Sequence, residues 1–175
     1  MTGVGLFLAG AYFVVMPLVI RDHYAGDVGE LSLFMTVLQL GTVTAASLLL
    51  LRGQLPRRGR ALVLSMAGTG VPLLVISTGV PFSGALLAAF AWGIGAALFQ
   101  SIGRAIIQER APQAQRARVL SVYSLAVMGA GLVGSPLAGW TASEIGPLGA
   151  LGGAGIGIAI FVTLLALLTP VWRVH

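Results

Sequence analysis

Residues 84–107 read GALLAAFAWGIGAALFQSIGRAII and carry one charged side chain, Arg104. A membrane helix needs about 20 predominantly apolar residues to cross about 30 Å of hydrocarbon. The segment lacks the alternation of polar and apolar residues that a half-buried strand requires. A helix, by contrast, satisfies its own backbone hydrogen bonds inside lipid. The segment is therefore predicted to be a membrane-spanning helix.

The rest of the chain has the same character. Of its 175 residues, 57% are hydrophobic and only 9% are charged, whereas a soluble domain has about 25% charged residues. The mean hydropathy is +0.98. Five further apolar stretches can be cut at charges and Gly/Pro clusters: 3–20, 31–51, 61–79, 119–140 and 147–172. We predict an all-α polytopic protein in the lipid bilayer, with a single six-helix domain over residues 1–175.

The charges predict the orientation of these six helices. One set of predicted loops and ends holds nine arginines and a single acid, Glu109, while the other holds one arginine and four acids. Because arginine-rich loops stay in the cytoplasm, both termini are expected there. The nine arginines are Arg52, Arg57, Arg58, Arg60, Arg104, Arg110, Arg116, Arg118 and Arg173.

The same pattern argues against other classes of protein. Basic residues in short loops at membrane ends do not form the continuous basic face that nucleic acid requires. No Gly-x-Ser-x-Gly or His-Glu-x-x-His motif is present, and His23 and His175 lie in a loop and at the end of the chain. With no cysteine either, we predict no enzyme activity, no metal, no cofactor and no nucleic-acid partner.

A few polar and aromatic residues inside the predicted helices are candidates for a solute pathway. They are Gln39, Gln100, Tyr12, Trp92 and Tyr123. The two glutamines have a second reading, in which they only hydrogen-bond neighbouring helices. Arg104 is interpreted as an interfacial arginine whose charge reaches the membrane surface. All five acids fall in loops or at helix ends, so no buried carboxylate is expected to carry a proton.

Small residues recur at helical spacing in the fifth predicted helix. Gly131, Ser135 and Gly139 are four apart, with Gly134 and Pro136 beside them. Such ridges let two helix backbones approach closely. They indicate either ordinary packing or a face that moves during a conformational cycle.

Two loops carry a family resemblance. Residues 53–60, GQLPRRGR, resemble the Gly-x-Leu-x-Asp-Arg-x-Gly-Arg-Arg loop of major facilitator superfamily transporters, and Gly53, Arg57, Arg58, Gly59 and Arg60 carry the match. The chain is one residue short there and has no aspartate. Residues 108–121 and the helix that follows resemble the family's Gln/Pro/Arg-x-Arg loop before a glycine-rich antiporter helix, with Ser135 in place of a glycine.

The resemblance implies the carboxy-terminal six-helix half of such a transporter, close to the bacterial drug and siderophore efflux branch. It implies two inverted three-helix repeats in a bacterial cytoplasmic membrane. It also implies export of a small amphipathic solute by alternating access, with a second six-helix half or a second copy of the chain as partner. The alternative is a degraded or partial half that serves only a structural or regulatory role.

Overall fold

The computed structural model describes residues 2–52, 58–110 and 112–168, and these residues form helices and turns without a strand. The helical elements are α1 (Thr2–Gly10), a π-helical turn (Ala11–Val15), α2 (Met16–Asp22), α3 (Val28–Arg52), α4 (Arg58–Ser77), α5 (Phe82–Arg110), a 3-10 turn (Gln113–Gln115) and α6 (Arg116–Leu168). The predicted all-helical architecture is confirmed. The predicted end of the last helix, 169–172, lies outside the described residues.

Three of these helices are long and apolar enough to cross a membrane by length and composition: Val28–Leu51, Phe82–Glu109 and Arg116–Leu165. Ala61–Ser77 is a shorter apolar helix. Large apolar side chains such as Leu87, Leu132 and Leu50 are 75–85% exposed. Water-soluble monomers rarely expose so much contiguous apolar surface. The chain is therefore a multi-pass membrane protein.

Helix α6 is not one rod, because Gly146 interrupts it with φ 78° and ψ 162°. This left-handed backbone is open to glycine without steric cost, and Pro147 follows it. The break divides α6 into a first arm, 116–145, and a second arm, 147–168. The first arm extends five residues beyond the predicted boundary at 140.

The π-helical turn sets which side of the amino-terminal helix is buried. Ala11 and Ile20 are each 1% exposed, although nine residues apart in an unbroken α-helix they would point in opposite directions. A π turn inserts one extra residue, which rotates the following segment by about 100°. The turn thereby brings both residues onto the packed side.

Helix α5 lies between α3 and α4, and glycine backbones make both contacts. A Cβ built on Gly93 would collide with the carbonyl oxygen of Leu38 in α3. A Cβ built on Gly95 would lie 2.6 Å from the carbonyl oxygen of Gly68 in α4. Across the first of these contacts, the Thr42 hydroxyl lies 3.3 Å from the carbonyl oxygen of Gly93.

Helix α6 completes the bundle with both arms. In the first arm, the carbonyl oxygen of Gly134 would lie 2.6 Å from a Cβ on Gly10 of α1. In the second arm, Gly155 packs on Leu74 of α4. The small-residue faces of α6 thus bring α1 and α4 close to its backbone.

At one end of the bundle, Tyr24, which follows α2, links two of the connections between helices. Its hydroxyl donates a 2.7 Å hydrogen bond to the carbonyl oxygen of Val80 in the turn before α5. Its ring packs on Phe82, with ring centroids 5.4 Å apart. Partial burial raises the pKa of the Tyr24 phenol, so the hydroxyl remains a donor throughout the physiological pH range. The contact ties the α2–α3 connection to the α4–α5 turn.

We expect Gly93→Ala to destabilise the protein by about 1–3 kcal/mol, because the new methyl group overpacks the α3–α5 contact. Thermal unfolding in detergent, followed by size-exclusion chromatography, measures the loss. Gly129→Ala is the matched control, since a Cβ at Gly129 meets no atom within 4 Å. Equal melting temperatures for the two variants would contradict the close contact.

Candidate solute site

One exposed face of α3 carries polar residues together with the exposed apolar residues Val43 and Leu50. Ser32, Thr36, Gln39 and Ser47 are all exposed and, at 100° per residue, fall within about 80° of one another. The Ser32 and Thr36 hydroxyls donate to carbonyl oxygens four residues earlier in their own helix. The Gln39 carboxamide has no hydrogen-bond partner among the residues that the structure describes. Gln39 is therefore the strongest unsatisfied polar group on this face.

Gln39 is exposed at a depth where the surrounding medium would be hydrocarbon. It lies eleven residues after the start of the 25-residue α3, which places it near the middle of the membrane span. An amide without a hydrogen bond is costly to place in hydrocarbon. The Gln39 amide is accordingly suited to contact water, a solute or a partner helix rather than lipid tails.

Helices α3 and α5 run parallel, which relates the depths of the two glutamines. Gly41 packs on Phe90, Thr42 on Gly93 and Leu38 on Gly93, so residues at one level are about 50 to 55 positions apart in the chain. Gln39 is therefore level with Phe90 and Trp92. Gln100 is level with Leu49, about 15 Å farther along the bundle. Gln100 is exposed as well, so the two predicted glutamines occupy two separate depths.

Tyr12 and Trp92 meet at the depth of Gln39. Their rings make an edge-to-face contact with centroids 6.2 Å apart. Tyr12 lies in the π-helical turn and is half-buried, whereas Trp92 is only 2% exposed. Most of the indole therefore packs in the core, and Tyr12 is the more accessible ring of the pair.

The remaining pathway candidate, Tyr123, lies at the other depth. It is half-buried in the first arm of α6 and within electrostatic range of Arg104 in α5. Arg104 is exposed, four residues after Gln100 and so on a similar face of α5. The candidates thus form an inner group (Tyr12, Gln39 and Trp92) and an end group (Gln100, Arg104 and Tyr123).

The predicted small-residue ridge lies against α1 and the π turn. A Cβ on Gly131 would lie 3.7 Å from the Ala9 side chain, and one on Gly139 would lie 3.8 Å from Val14. Gly134 makes the close backbone contact described above. Ser135 is half-buried and Pro136 is exposed. Part of the ridge is therefore a packing face, whereas Pro136 points away from it.

The predicted loop motif is only partly visible. Gly53 and Arg57 lie outside the described residues. The backbone of Arg58, Gly59 and Arg60 forms the start of α4.

An apolar cavity of about 320 Å³ lies between the π turn and the two arms of α6. Gly10, Ala11 and Val15 line one side, and Ala138 and Thr141 belong to the other. The Thr141 hydroxyl lies 3.0 Å from carbonyl oxygens of its own helix, so it offers the cavity little polarity. The cavity is suited to an apolar group. Over the part of the chain that is described, no three His, Asp or Glu side chains gather where they could hold a metal ion.

Several of these features were missed in the sequence. The π turn leaves no compositional signal, because the whole segment is apolar. The close contacts of Gly10, Gly41 and Gly93 depend on neighbours far away in the chain, and 25 glycines are present to choose among. A proline at position 17, two residues after the end of the turn, is the one signal that indicates an irregular helix there.

Comparison with known families now adds to this arrangement. The sequence profile described as Major Facilitator Superfamily matches residues 1–174. The chain belongs to the major facilitator superfamily. It is therefore a transporter of the major facilitator type, and this superfamily consists of transporters rather than enzymes. Among curated proteins, none matches the chain significantly.

Thiol labelling tests whether the polar face of this major facilitator protein meets water. The chain has no cysteine, so single-cysteine variants carry no background. Thiol reagents attack the thiolate, which does not form in lipid. We expect Gln39→Cys to react with a water-soluble methanethiosulfonate at least about 10-fold faster than Leu87→Cys, which is 75% exposed on an apolar face of α5. Similar slow rates at both positions would place Gln39 against lipid.

Proposed function

We propose that this chain is the carboxy-terminal six-helix half of a major facilitator exporter and that it moves a small amphipathic solute by alternating access. The observation that carries the proposal is Gln39, an exposed amide without a partner near the middle of a membrane-spanning helix. Family membership supports transport, and the unsatisfied amide supports a polar pathway or interface along α3. The six spans comprise the amino-terminal helical run, α3, α4, α5 and the two arms of α6.

The chemistry of the inner group favours a solute of low charge. Tyr12, Gln39 and Trp92 offer aromatic surface and neutral hydrogen-bonding groups. The nearest charged residue along α5 is Arg104, twelve residues after Trp92 and about 18 Å away along the helix. A free inorganic ion would need charged or carbonyl ligands around it. An amphipathic solute of the efflux type fits the inner group better.

The proposed orientation follows from the arginines. The loops after α3 and α5 would face the cytoplasm of a bacterial cell, and the Tyr24 contact would then lie on the outer side. The exposed polar face of α3 would meet a second six-helix half or a second copy of this chain, with the pathway between them.

Labelling of intact cells tests the orientation. Gly29 and Gln115 are exposed positions at the two ends of the bundle. Gly29→Cys is expected to react with a membrane-impermeant maleimide from outside, and Gln115→Cys only after permeabilisation. The reverse pattern would overturn the proposed topology.

Flux measurements test transport itself. The chain is reconstituted into proteoliposomes, alone and together with separately expressed six-helix halves, and release of entrapped neutral and cationic amphipathic dyes is followed by fluorescence. We expect Gln39→Leu to lower the rate of release at least about 3-fold, since one unsatisfied amide is removed from the pathway. The matched control is Leu87→Gln, which alters an apolar face. Absence of flux in every combination would favour the structural or regulatory role.

A further inference from the structure

The backbone of the π-helical turn leaves the Tyr12 carbonyl group without its helical partners. The Met16 N–H donates to the carbonyl oxygen of Ala11, five residues earlier, rather than to that of Tyr12. The next residue, Pro17, has no N–H. The Tyr12 carbonyl oxygen therefore lacks both the amide that an α turn would supply and the amide that a π turn would supply. Inside a membrane, backbone of this kind is tolerated where it is buried in protein or lines a cavity.

Two further polar groups at this place have no partner. Neither the Trp92 indole N–H nor the Tyr12 hydroxyl makes a hydrogen bond to any described residue. Trp92 is 98% buried. Every fully buried side-chain nitrogen or oxygen in the described chain has a hydrogen-bond partner, so the unpaired indole nitrogen is not fully buried. The indole N–H consequently lies at the small accessible edge of the ring, and the Tyr12 ring packs beside Trp92.

We infer that the π turn and Trp92 form a subsite for an uncharged group that both donates and accepts hydrogen bonds, such as a hydroxyl or an amide. The indole N–H donates to the group, and the Tyr12 carbonyl oxygen accepts from it. No charged residue occurs in α1, in the π turn or near Trp92 in α5, so a charged head group would lose its hydration without compensation. The inference rests on the proposed function and names the chemical class of its solute.

The side of the same turn that faces α6 borders the apolar cavity described above. Ala11 and Val15, the first and last residues of the turn, line the cavity of about 320 Å³, whereas Tyr12 and Trp92 do not line it. A dry cavity of about 150 Å³ is known to hold benzene, so this one is large enough for a short alkyl chain. The class of the solute therefore follows from the polar groups at Tyr12 and Trp92, which fit a neutral alcohol or amide.

Tryptophan fluorescence in nanodiscs tests the subsite directly. The chain has three tryptophans, and substituting phenylalanine for the other two leaves Trp92 as the only reporter. The probes are octan-1-ol, octyl methyl ether, octylammonium and octanoate, which share one chain and differ in the head group. We expect a saturable emission change with octan-1-ol. Octyl methyl ether accepts a hydrogen bond but does not donate one. We expect its half-saturating concentration to be about 2- to 10-fold higher than that of octan-1-ol, because one neutral hydrogen bond is lost.

A variant with only Trp140 separates binding from partition into the membrane. Trp140 is 63% exposed on α6, so its emission is expected to change without saturation for all four probes. A response of Trp92 that follows that of Trp140, or equal half-saturation for all four head groups, would overturn the subsite.

Substitution of the proline tests the carbonyl acceptor. Pro17→Ala returns an N–H that, in the π register of Met16, donates to the Tyr12 carbonyl oxygen five residues earlier, so octan-1-ol should bind about 2- to 10-fold more weakly while binding of the ether stays unchanged. Pro72→Ala in α4 is the matched control for loss of a membrane proline and should alter neither. Unchanged binding of the ether also establishes that the Pro17 variant is folded. Equal weakening of both probes, or no weakening of octan-1-ol, would contradict the role of the carbonyl group.

These outcomes are independent of transport. Saturable binding at Trp92 without dye flux would support the subsite and contradict the transport proposal. Dye flux with a Trp92 reporter that does not saturate would support transport and remove the subsite.

Discussion

The bundle depends on two glycines of α5 that are two residues apart and contact the backbones of different helices. Gly93 lies against the Leu38 carbonyl of α3, and Gly95 lies against Gly68 of α4. Two residues along a helix correspond to about 200°, so the two contacts occupy nearly opposite sides of α5. Lipid tails are as apolar as leucine, and burial of apolar surface does not drive helices together in a membrane. Close backbone contact must therefore hold the helices together, and it requires residues without a Cβ.

Among the described residues, every fully buried side-chain nitrogen or oxygen has a hydrogen-bond partner. Hydroxyls such as those of Ser65, Thr69 and Ser77 donate to carbonyl oxygens three residues earlier in their own helix. Because these hydroxyls already donate within their own helix, they are poor ligands for a solute. The Gln39 amide, the Trp92 indole N–H and the Tyr12 carbonyl have no such partner. In a medium without water, each of them indicates contact with something outside this set of helices.

The helices themselves were predictable, because length and hydropathy determine where a chain can cross a membrane. The apolar stretches cut from the sequence begin and end within about five residues of the observed helical segments, apart from the end of the last one, which lies outside the described residues. The break at 146 was anticipated as a loop, because Gly146 and Pro147 interrupt the apolar run. The two glutamines predicted for the pathway lie at two depths. Their separation depends on the offset between α3 and α5, which is a contact between distant segments.

Rotation about the helix axes could not be predicted. Every helix is apolar around most of its circumference, so hydropathy favours no face. The buried side of the amino-terminal helix depends on the extra residue of the π turn, and Ala11 and Ile20 share that side only because of it. The sequence by itself determined that this protein is helical, resides in a membrane and carries its charges at the helix ends, because transfer of charge into hydrocarbon costs so much. Only the tertiary structure decided which glycines touch, which amide stays exposed and which carbonyl remains free, because these follow from the backbone distances between helices.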